Sequence, residues 1–206
     1  MSRGKVILFG CIVLIFIGFV SWRFFCEGLY GKTRKSYFSG WGVYSWEDLN
    51  PGDYDVTVVD GNVIYGGAQL AVGDTKFAQP AFDGEKFSIE GSGKVIFEPA
   101  KYKKLEPASE GVYRIYHSGY YKIDAQIPAG RYEVTYVARD PDVDKELDPL
   151  VQTTKNHDIQ EGIAFDSKGK HYINLRKGEV LEVFKEFSRE RSREYRGSYV
   201  QFDAVK

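Results

Sequence analysis

The 206-residue chain has 28 basic and 29 acidic side chains and a formal net charge of −1. That near balance gives no support to nucleic-acid binding, which normally requires a basic excess. With 15 Tyr, 14 Phe and 22 Gly, the composition favours an all-β fold, because aromatic residues suit half-buried strands and glycine suits turns. Cys11 and Cys26 are the two cysteines, so residues 27–206 have no disulfide framework and depend on a hydrophobic core.

An uncharged hydrophobic run over residues 6–20 comes first. With Ser21 and Trp22 it makes about 25 Å of helix, just short of a bilayer core of about 30 Å. No small-x-small cleavage motif follows the run, which argues against the alternative of a processed signal peptide. We therefore predict an uncleaved transmembrane anchor over residues 1–26 and a juxtamembrane linker over residues 27–36.

The basic residues that flank this anchor give conflicting predictions of its orientation in the membrane. Basic residues stand on both sides of the run: Arg3 and Lys5 before it, and Arg23, Lys32, Arg34 and Lys35 after it. A count of these residues would place the C-terminal side in the cytoplasm. A very short N-terminal tail usually stays inside, however, and we expect a single-pass cell-membrane protein with an extracellular C-terminal domain.

The rest of the chain is predicted to contain a duplicated module. Four pairs of segments match in the same order: 37–41 with 116–120, 49–56 with 127–134, 84–89 with 178–183, and 95–99 with 199–203. The first pair aligns Gly40 with Gly119. We place copy 1 at residues 37–102, a joint at 103–111 and copy 2, with inserts, at 112–206.

Each copy contains a strand that alternates between apolar and polar residues after a glycine turn. Tyr54 and Val56 share one face in copy 1, and Tyr132 and Val134 do so in copy 2. Such alternation is typical of a half-buried antiparallel strand. Further strands are predicted at 43–46, 62–65, 86–90, 94–98, 112–116, 120–125, 161–165, 171–175, 180–184 and 198–204. The predicted fold is all-β: two tandem related β-sandwich or jelly-roll-like modules after one N-terminal transmembrane helix.

The segment over residues 118–134, SGYYKIDAQIPAGRYEV, resembles one found in small, uncharacterised surface lipoproteins and membrane proteins of Gram-positive bacteria. In that family a Gly-x-Tyr-x-Val stretch runs into Ile-Pro-Ala-Gly-Glu-Tyr, and a Gly-Asp-x-Leu-x-Ile strand comes later. This chain departs from the pattern at residues 124–126, where the family usually has Gly-Lys-Asp. The resemblance covers about half of each copy and implies a bacterial surface location, with no catalytic residue to carry over.

An acidic insert over residues 140–148 offers a calcium alternative. Asp140, Asp142 and Asp144 have the spacing that begins a calcium loop. Lys145 stands where that loop needs its sharp-turn glycine, and Val151 where it needs a bidentate glutamate. We expect a solvated acidic loop, with calcium binding as the weaker alternative.

Catalytic and metal-binding patterns are missing from the sequence. His117, His157 and His171 lack zinc-ligand spacing, and there is no G-x-S-x-G elbow, P-loop or dinucleotide fingerprint. Asp53 and Asp55 alternate with apolar residues and are expected to face solvent. We predict no catalytic residue, no metal and no cofactor.

Two groups of residues are candidate binding contacts. Arg189, Arg191, Arg193 and Arg196 lie in the charged segment 185–196 and suit anionic wall polymers or lipid headgroups. The interleaved Glu190 and Glu194 favour a salt-bridged exposed hairpin or helical turn instead. Four aromatic residues are candidates for a stacking surface or for the core: Trp41, Tyr44, Trp46 and Tyr120.

The sequence favours a membrane-anchored, extracytoplasmic binding protein without catalysis, whose partner is a protein or an envelope polymer. An alternative is a cell-envelope enzyme or metal-dependent factor with its site between the two modules. A third interpretation is an accessory subunit of a membrane complex.

Overall fold

The computed structural model describes residues 36–39, 42–45, 49–82, 86–138, 149–163, 165, 170–185 and 197–205. These residues form strands and their connections, with no helix among them, so the all-β class is confirmed for this part. The predicted anchor, most of the linker, the acidic insert and most of segment 185–196 lie outside it. None of the described residues forms a helix long and apolar enough to cross a membrane.

Sixteen strands are formed by the described residues. In chain order they are β1 Ser36–Ser39, β2 Gly42–Ser45, β3 Gly52–Asp60, β4 Asn62–Tyr65, β5 Ala68–Ala71, β6 Thr75–Ala81, β7 Lys86–Gly91, β8 Lys94–Pro99, β9 Val112–Ile115, β10 Gly119–Lys122, β11 Gly130–Val137, β12 Leu150–Lys155, β13 Asp158–Ile163, β14 His171–Leu175, β15 Val180–Phe184 and β16 Tyr199–Ala204. Four of them, β1, β5, β6 and β12, have no counterpart among the predicted strands. We call β1–β8 the first half and β9–β16 the second half.

The two halves share one strand order. In the first half the strands run β1-β8-β3-β6 and β2-β7-β4-β5. In the second half they run β9-β16-β11-β14 and β10-β15-β12-β13, so every strand number is higher by eight. The strands β6 and β10 are themselves paired, which makes one eight-stranded sheet from β1-β8-β3-β6 and β10-β15-β12-β13.

The pairing registers of the two halves also agree. Val56 lies opposite Phe97 between β3 and β8, and Val134 lies opposite Phe202 between β11 and β16. Gly42 of β2 lies opposite Ile89 of β7, and Gly119 of β10 lies opposite Val183 of β15. Since the matched segments equate Ile89 with Val183, the position of Gly119 corresponds to Gly42. The sequence alignment of Gly119 with Gly40 was therefore wrong by two residues.

Each half encloses its own hydrophobic core. The first cluster contains buried residues between Phe38 and Phe97, and the second contains residues between Tyr113 and Phe202. The predicted alternation of β3 is confirmed, since Tyr54 and Val56 are fully buried. Each large apolar side chain that leaves water in this way contributes about 1.5–3 kcal/mol to folding.

Two tyrosine hydroxyls tie equivalent turns to these cores. Tyr54 Oη donates to the Asn50 carbonyl oxygen at 2.6 Å, and Tyr132 Oη donates to the Pro128 carbonyl oxygen at 3.0 Å. In both cases the acceptor lies four residues upstream. A buried hydroxyl needs such a partner, because leaving it without one costs about 1–3 kcal/mol.

The outer edge of β14 carries a side-chain cap. Among the described strands β14 pairs only with β11. The Asn174 backbone N–H donates to Glu161 Oε1 at 3.3 Å, and the Asn174 side-chain amide also donates to the Glu161 carboxylate, at 3.1 Å. Arg176 adds an ion pair to Glu161 at 3.7 Å. A backbone donor of an edge strand is thereby satisfied within the chain.

Candidate functional site

The halves meet at a seam, which we define as the contact between β6 and β10. The Phe77 backbone N–H donates to the Ser118 carbonyl oxygen at 2.9 Å, and Gly119 lies opposite Phe77 in a parallel pairing. A Cβ atom at Gly119 would lie 2.3 Å from the Phe77 carbonyl oxygen. The Gly119 φ of +152° is also unfavourable for other residues. The seam therefore requires glycine at this position.

A β-bulge in β6 shapes the first-half side of the seam. Ala78 has a φ of +48°, and its backbone N–H donates to Asp55 Oδ1 at 3.0 Å. Burial raises the pKa of the Asp55 carboxyl, while the hydrogen bonds from the Ala78 and Lys101 backbones oppose that shift. Asp55 was predicted to face solvent, but it is half-buried and holds the bulge.

A cleft of about 390 Å³ lies beside the seam. Both halves line it: the start of β3, the end of β6, residues of β10 and β15, and the hairpin between β12 and β13, together with Tyr102 from the connection between the halves. A second cavity of about 400 Å³ involves residues 101–106 and β6. Ala78 and Tyr102 line both cavities, and the turn between β12 and β13 lines only the first, which we call the cleft.

One wall of the cleft is a three-residue cluster. Tyr102 Oη donates to Asp53 Oδ2, and Lys122 Nζ lies 3.6 Å from the same oxygen. The Lys122 ammonium also lies 3.7 Å from the centre of the Tyr102 ring, a cation–π contact. Burial and the hydrogen bond to Asp53 raise the pKa of Tyr102, so its hydroxyl stays protonated. The cluster joins β3, the connection and β10.

The opposite wall is the turn between β12 and β13. Asn156 and His157 both have positive φ, +51° and +69°, as a two-residue type I′ turn demands. The His157 ring lies edge-on to Phe82 of the first half, with ring centres 5.2 Å apart. The equivalent turn in the first half is Gly66–Gly67, with φ of +56° and +79°. Glycine adopts this conformation without strain and Asn at a reduced cost, whereas most other residues pay about 1–2 kcal/mol.

Backbone strain is concentrated at this cleft. Five described residues other than glycine have positive φ: Ala78, Tyr102, Asp124, Asn156 and His157. All but Asp124 line the cleft. Residues held in such conformations cluster at ligand clamps and active sites, where the strain is retained because the side chain is needed there. This clustering marks the cleft as the candidate site.

The floor of the cleft is a face of the eight-stranded sheet. Glu182 of β15 accepts hydrogen bonds from Gln152 Nε2 at 2.8 Å and from Thr154 Oγ1 at 2.9 Å. Tyr120 lies directly opposite Glu182 on β10, and its ring is edge-on to Phe184 at 5.4 Å. Burial and the nearby Glu182 raise the pKa of Tyr120. Tyr120, a predicted binding residue, is thus half-buried in the cleft lining.

Of the other predicted aromatic and basic contacts, the structure describes Tyr44. Tyr44 packs in the first core, 4.8 Å from Phe38 and 5.5 Å from Phe87 between ring centres. The remaining candidate binding residues lie outside the described residues: Trp41, Trp46, Arg189, Arg191, Arg193, Arg196, and the calcium candidates Asp140, Asp142 and Asp144.

The three histidines each pack against a phenylalanine and do not form a common site. Their partners are Phe77 for His117, Phe82 for His157 and Phe165 for His171. In the described ranges no group of three or more His, Cys, Asp or Glu side chains could hold a metal ion. Burial, followed by the positive charge of Lys185, lowers the pKa of His117.

Sequence reasoning did not find most residues of the cleft. Asp53, Tyr102, Lys122 and Glu182 lie on the outward faces of strands or in the connection, where a polar residue is usually solvated. The turn between β12 and β13 offered one clue to the cleft, because Asn156–His157 in the second half corresponds to Gly66–Gly67 in the first half. No family model, curated protein or solved structure matches the chain.

Proposed function

We propose that this chain is a membrane-anchored extracytoplasmic binding protein without catalysis, which binds a partner protein or an envelope polymer in the cleft between its halves. The observation that carries the proposal is the concentration of strained, non-glycine residues around one cleft. Glycine at positions 156 and 157 would form the same turn without strain, as Gly66–Gly67 does in the first half. Contact of the Asn156 and His157 side chains with a ligand accounts for the presence of other residues there.

The proposal includes the duplication of one β-sandwich module. Its support is the recurrence of the strand order, the equal registers at Phe97 and Phe202, and the equivalent hydroxyl bonds of Tyr54 and Tyr132. Duplication places a seam between two similar units. A seam of this kind is a common location for binding clefts.

The cleft residues are arranged for recognition because their charges are already paired. The Asp53 carboxylate contacts Tyr102 and Lys122, and the Glu182 carboxylate accepts two hydrogen bonds. Partners of this kind fix the side-chain positions before a ligand arrives. Fixed positions lower the ordering cost of binding.

The extracellular location rests on the hydrophobic run at residues 6–20 and on the resemblance to Gram-positive surface proteins. A protease added to intact cells that express the chain should digest residues 36–206 and leave the anchor with the membrane. Lysed cells serve as the control for protease susceptibility. Full protection on intact cells would contradict the proposed orientation.

Binding is tested with the full chain in nanodiscs and isolated cell envelope, by co-sedimentation and crosslinking. The variant Asn156→Gly/His157→Gly gives the second-half turn the sequence of the first-half turn. We expect it to bind about tenfold more weakly, while Tyr116→Ala, an exposed tyrosine outside the cleft, binds normally. The proposal fails when the unaltered protein retains no envelope material and crosslinks to no partner.

One feature favours the alternative of an envelope enzyme with a site between the modules. His157, Asp53 and Glu182 line the same cleft, and such side chains are typical general acids and bases. Incubation of envelope fragments with the protein, followed by mass spectrometry, tests this alternative. A mass change that Glu182→Gln abolishes would replace the binding proposal.

A further inference from the structure

Resting on the proposed function, we infer that the ligand of the cleft is a short, uncharged segment of glycan. Its sugar rings pack against the aromatic residues Tyr120 and His157, and its hydroxyl groups pair with the polar side chains between them.

The charge of the cleft favours a neutral ligand. Among the described residues, two acidic side chains, Asp53 and Glu182, and two basic side chains, Lys122 and Lys155, line the cleft, so their formal charges balance. Lys122 is held against Asp53 at 3.6 Å. A polyanion would meet the carboxylate of Glu182 on the floor, and a polycation would meet Lys155 at the rim. Like charges brought together in this way disfavour both kinds of ligand.

The floor of the cleft favours recognition through side chains rather than through the backbone. The strand β10 is paired on one side with β6 and on the other with β15, and β15 is paired with β10 and β12. An extended peptide that binds as an added strand needs an open sheet edge. The middle of the eight-stranded sheet offers none to a ligand lying on its face. The polar side chains of this face, including Glu182 and Thr154, stand roughly perpendicular to it.

The mixture of groups in the lining matches sugar chemistry. A sugar hydroxyl donates one hydrogen bond and accepts others, so it pairs both with acceptors such as Glu182 and with donors such as Lys155 and the Asn156 amide. The C–H face of a sugar ring is apolar and packs against an aromatic side chain such as Tyr120. The Tyr120 hydroxyl stays protonated at neutral pH, since burial and Glu182 raise its pKa.

The dimensions of the cleft suit a short segment of such a polymer. About 390 Å³ is near the lower end of the usual range for ligand sites, roughly 300–1,000 Å³. The exposed turn at Asn156 and His157 leaves one side open, so that a longer chain can enter and leave the cleft.

Calorimetric titration of the full chain in nanodiscs tests the inference. The probes are the neutral-glycan, anionic and peptide fractions of a muramidase digest of isolated envelope. We expect heat from the neutral fraction, a loss of about tenfold in affinity in Tyr120→Ala, and a loss of less than about threefold in Tyr120→Phe, which keeps the ring. Tyr116→Ala should bind like the unaltered protein.

The other outcomes separate this inference from the proposed function. If the anionic or peptide fraction binds instead, and Tyr120→Ala weakens that binding, the glycan is ruled out as the ligand. The cleft then remains a binding site. If neither Tyr120→Ala nor Asn156→Gly/His157→Gly weakens binding of the neutral fraction, the glycan does not bind in the cleft and the inference is overturned. Failure of all three fractions and of whole envelope to bind overturns the inference and the proposed function together.

Discussion

Gly119 is the residue on which the backbone contact between the halves depends. A methyl group there would press against Phe77 backbone atoms at 2.3 and 2.7 Å, and neither atom can move without opening β6. We expect Gly119→Ala to lower the free energy of unfolding by about 3–4 kcal/mol, the upper range for a single substitution. Equilibrium urea unfolding measures the effect.

Gly73 provides the matched control for this substitution. It also has positive φ, +89°, but an added Cβ would meet nothing within 4 Å. Gly73→Ala should therefore cost only the conformational strain, about 1–2 kcal/mol. Equal losses in the two variants would show that the close approach at the seam contributes nothing.

His117 gives the protein a predictable response to pH. Its ring packs against Phe77, and burial and Lys185 lower its pKa in the folded state, while Asp74 has a smaller opposing effect. The unfolded chain takes up this proton near the ordinary value of 6.5, so it binds more protons than the folded chain just below that pH. The contribution of His117 to stability is complete above this region and is lost as the pH falls through it.

The variant His117→Gln removes this titration. We expect its free energy of unfolding to fall less between pH 7.5 and 5.5 than that of the unaltered protein, measured by urea unfolding at both pH values. The same pH dependence in both proteins would contradict the assignment.

At the level of single residues, the sequence predicted the core better than the cleft. Period-two alternation identifies which residues of β3 turn inward, and Tyr54 and Val56 are buried as expected. For Asp53 and Asp55, the alternation predicts only that they lie on the opposite face of β3. Whether that face meets water or the other half depends on the packing of β6 against β10, which no local pattern encodes.

Among the elements, the turn between β12 and β13 is the most informative for experiment. The double variant Asn156→Gly/His157→Gly relieves strain at both positions but loses the Phe82 contact and adds freedom to the unfolded chain. These effects oppose one another, so we expect a free energy of unfolding within about 1 kcal/mol of the unaltered protein. Urea unfolding provides the measurement.

The first-half turn supplies the comparison. Gly67 has a φ of +79° and open space around its Cα, so Gly67→Ala should destabilise the protein by about 1–2 kcal/mol. A loss above about 2 kcal/mol in the double variant would mean that Asn156 and His157 stabilise the fold, and the case for a ligand contact would weaken.

Two of the four strands that the sequence failed to predict, β5 and β6, have weak local strand signals. The strand β6 contains Lys76 and Pro80, which are unfavourable in a central strand, and its bulge at Ala78 interrupts the alternation. The strand β5, Ala68–Ala71, has no β-branched or aromatic residue. Both are held by their neighbours in the sheet, so tertiary pairing overrides a weak local preference.

For the whole molecule, two separate cores predict separable unfolding. Phe97 is fully buried in the first core and Phe202 in the second. We expect Phe97→Ala and Phe202→Ala each to remove about 3–5 kcal/mol from the half that contains it. Differential scanning calorimetry should show one transition lowered by each substitution. Equal shifts of a single transition in both variants would show that the halves unfold as one unit.

The sequence contains matched segments that led us to propose a repeated module, whereas no segment indicated how the two halves contact each other. Matched segments report that two stretches resemble each other, and the shared strand order agrees with that resemblance. The pairing of β6 with β10 relies on the bulge in β6 and on Gly119. The bulge has no equivalent in the pairing of β14 with β11, whereas Gly119 corresponds to another glycine, Gly42. A search for similarity therefore passes over the bulge, and it does not show which of the two glycines lies at the seam.

The cap on β14 bears on self-assembly. In the second half β14 takes the place that β6 has in the first, so a further copy of the chain would add itself at β14 to continue the sheet from molecule to molecule. Glu161 occupies the Asn174 backbone donor at that edge, and we expect this contact to oppose the addition of a second copy. Sedimentation velocity should show concentration-dependent oligomers for Glu161→Ala but not for Glu161→Gln, whose amide oxygen still accepts the bond. On this prediction, a single carboxylate prevents the sheet from growing into fibres.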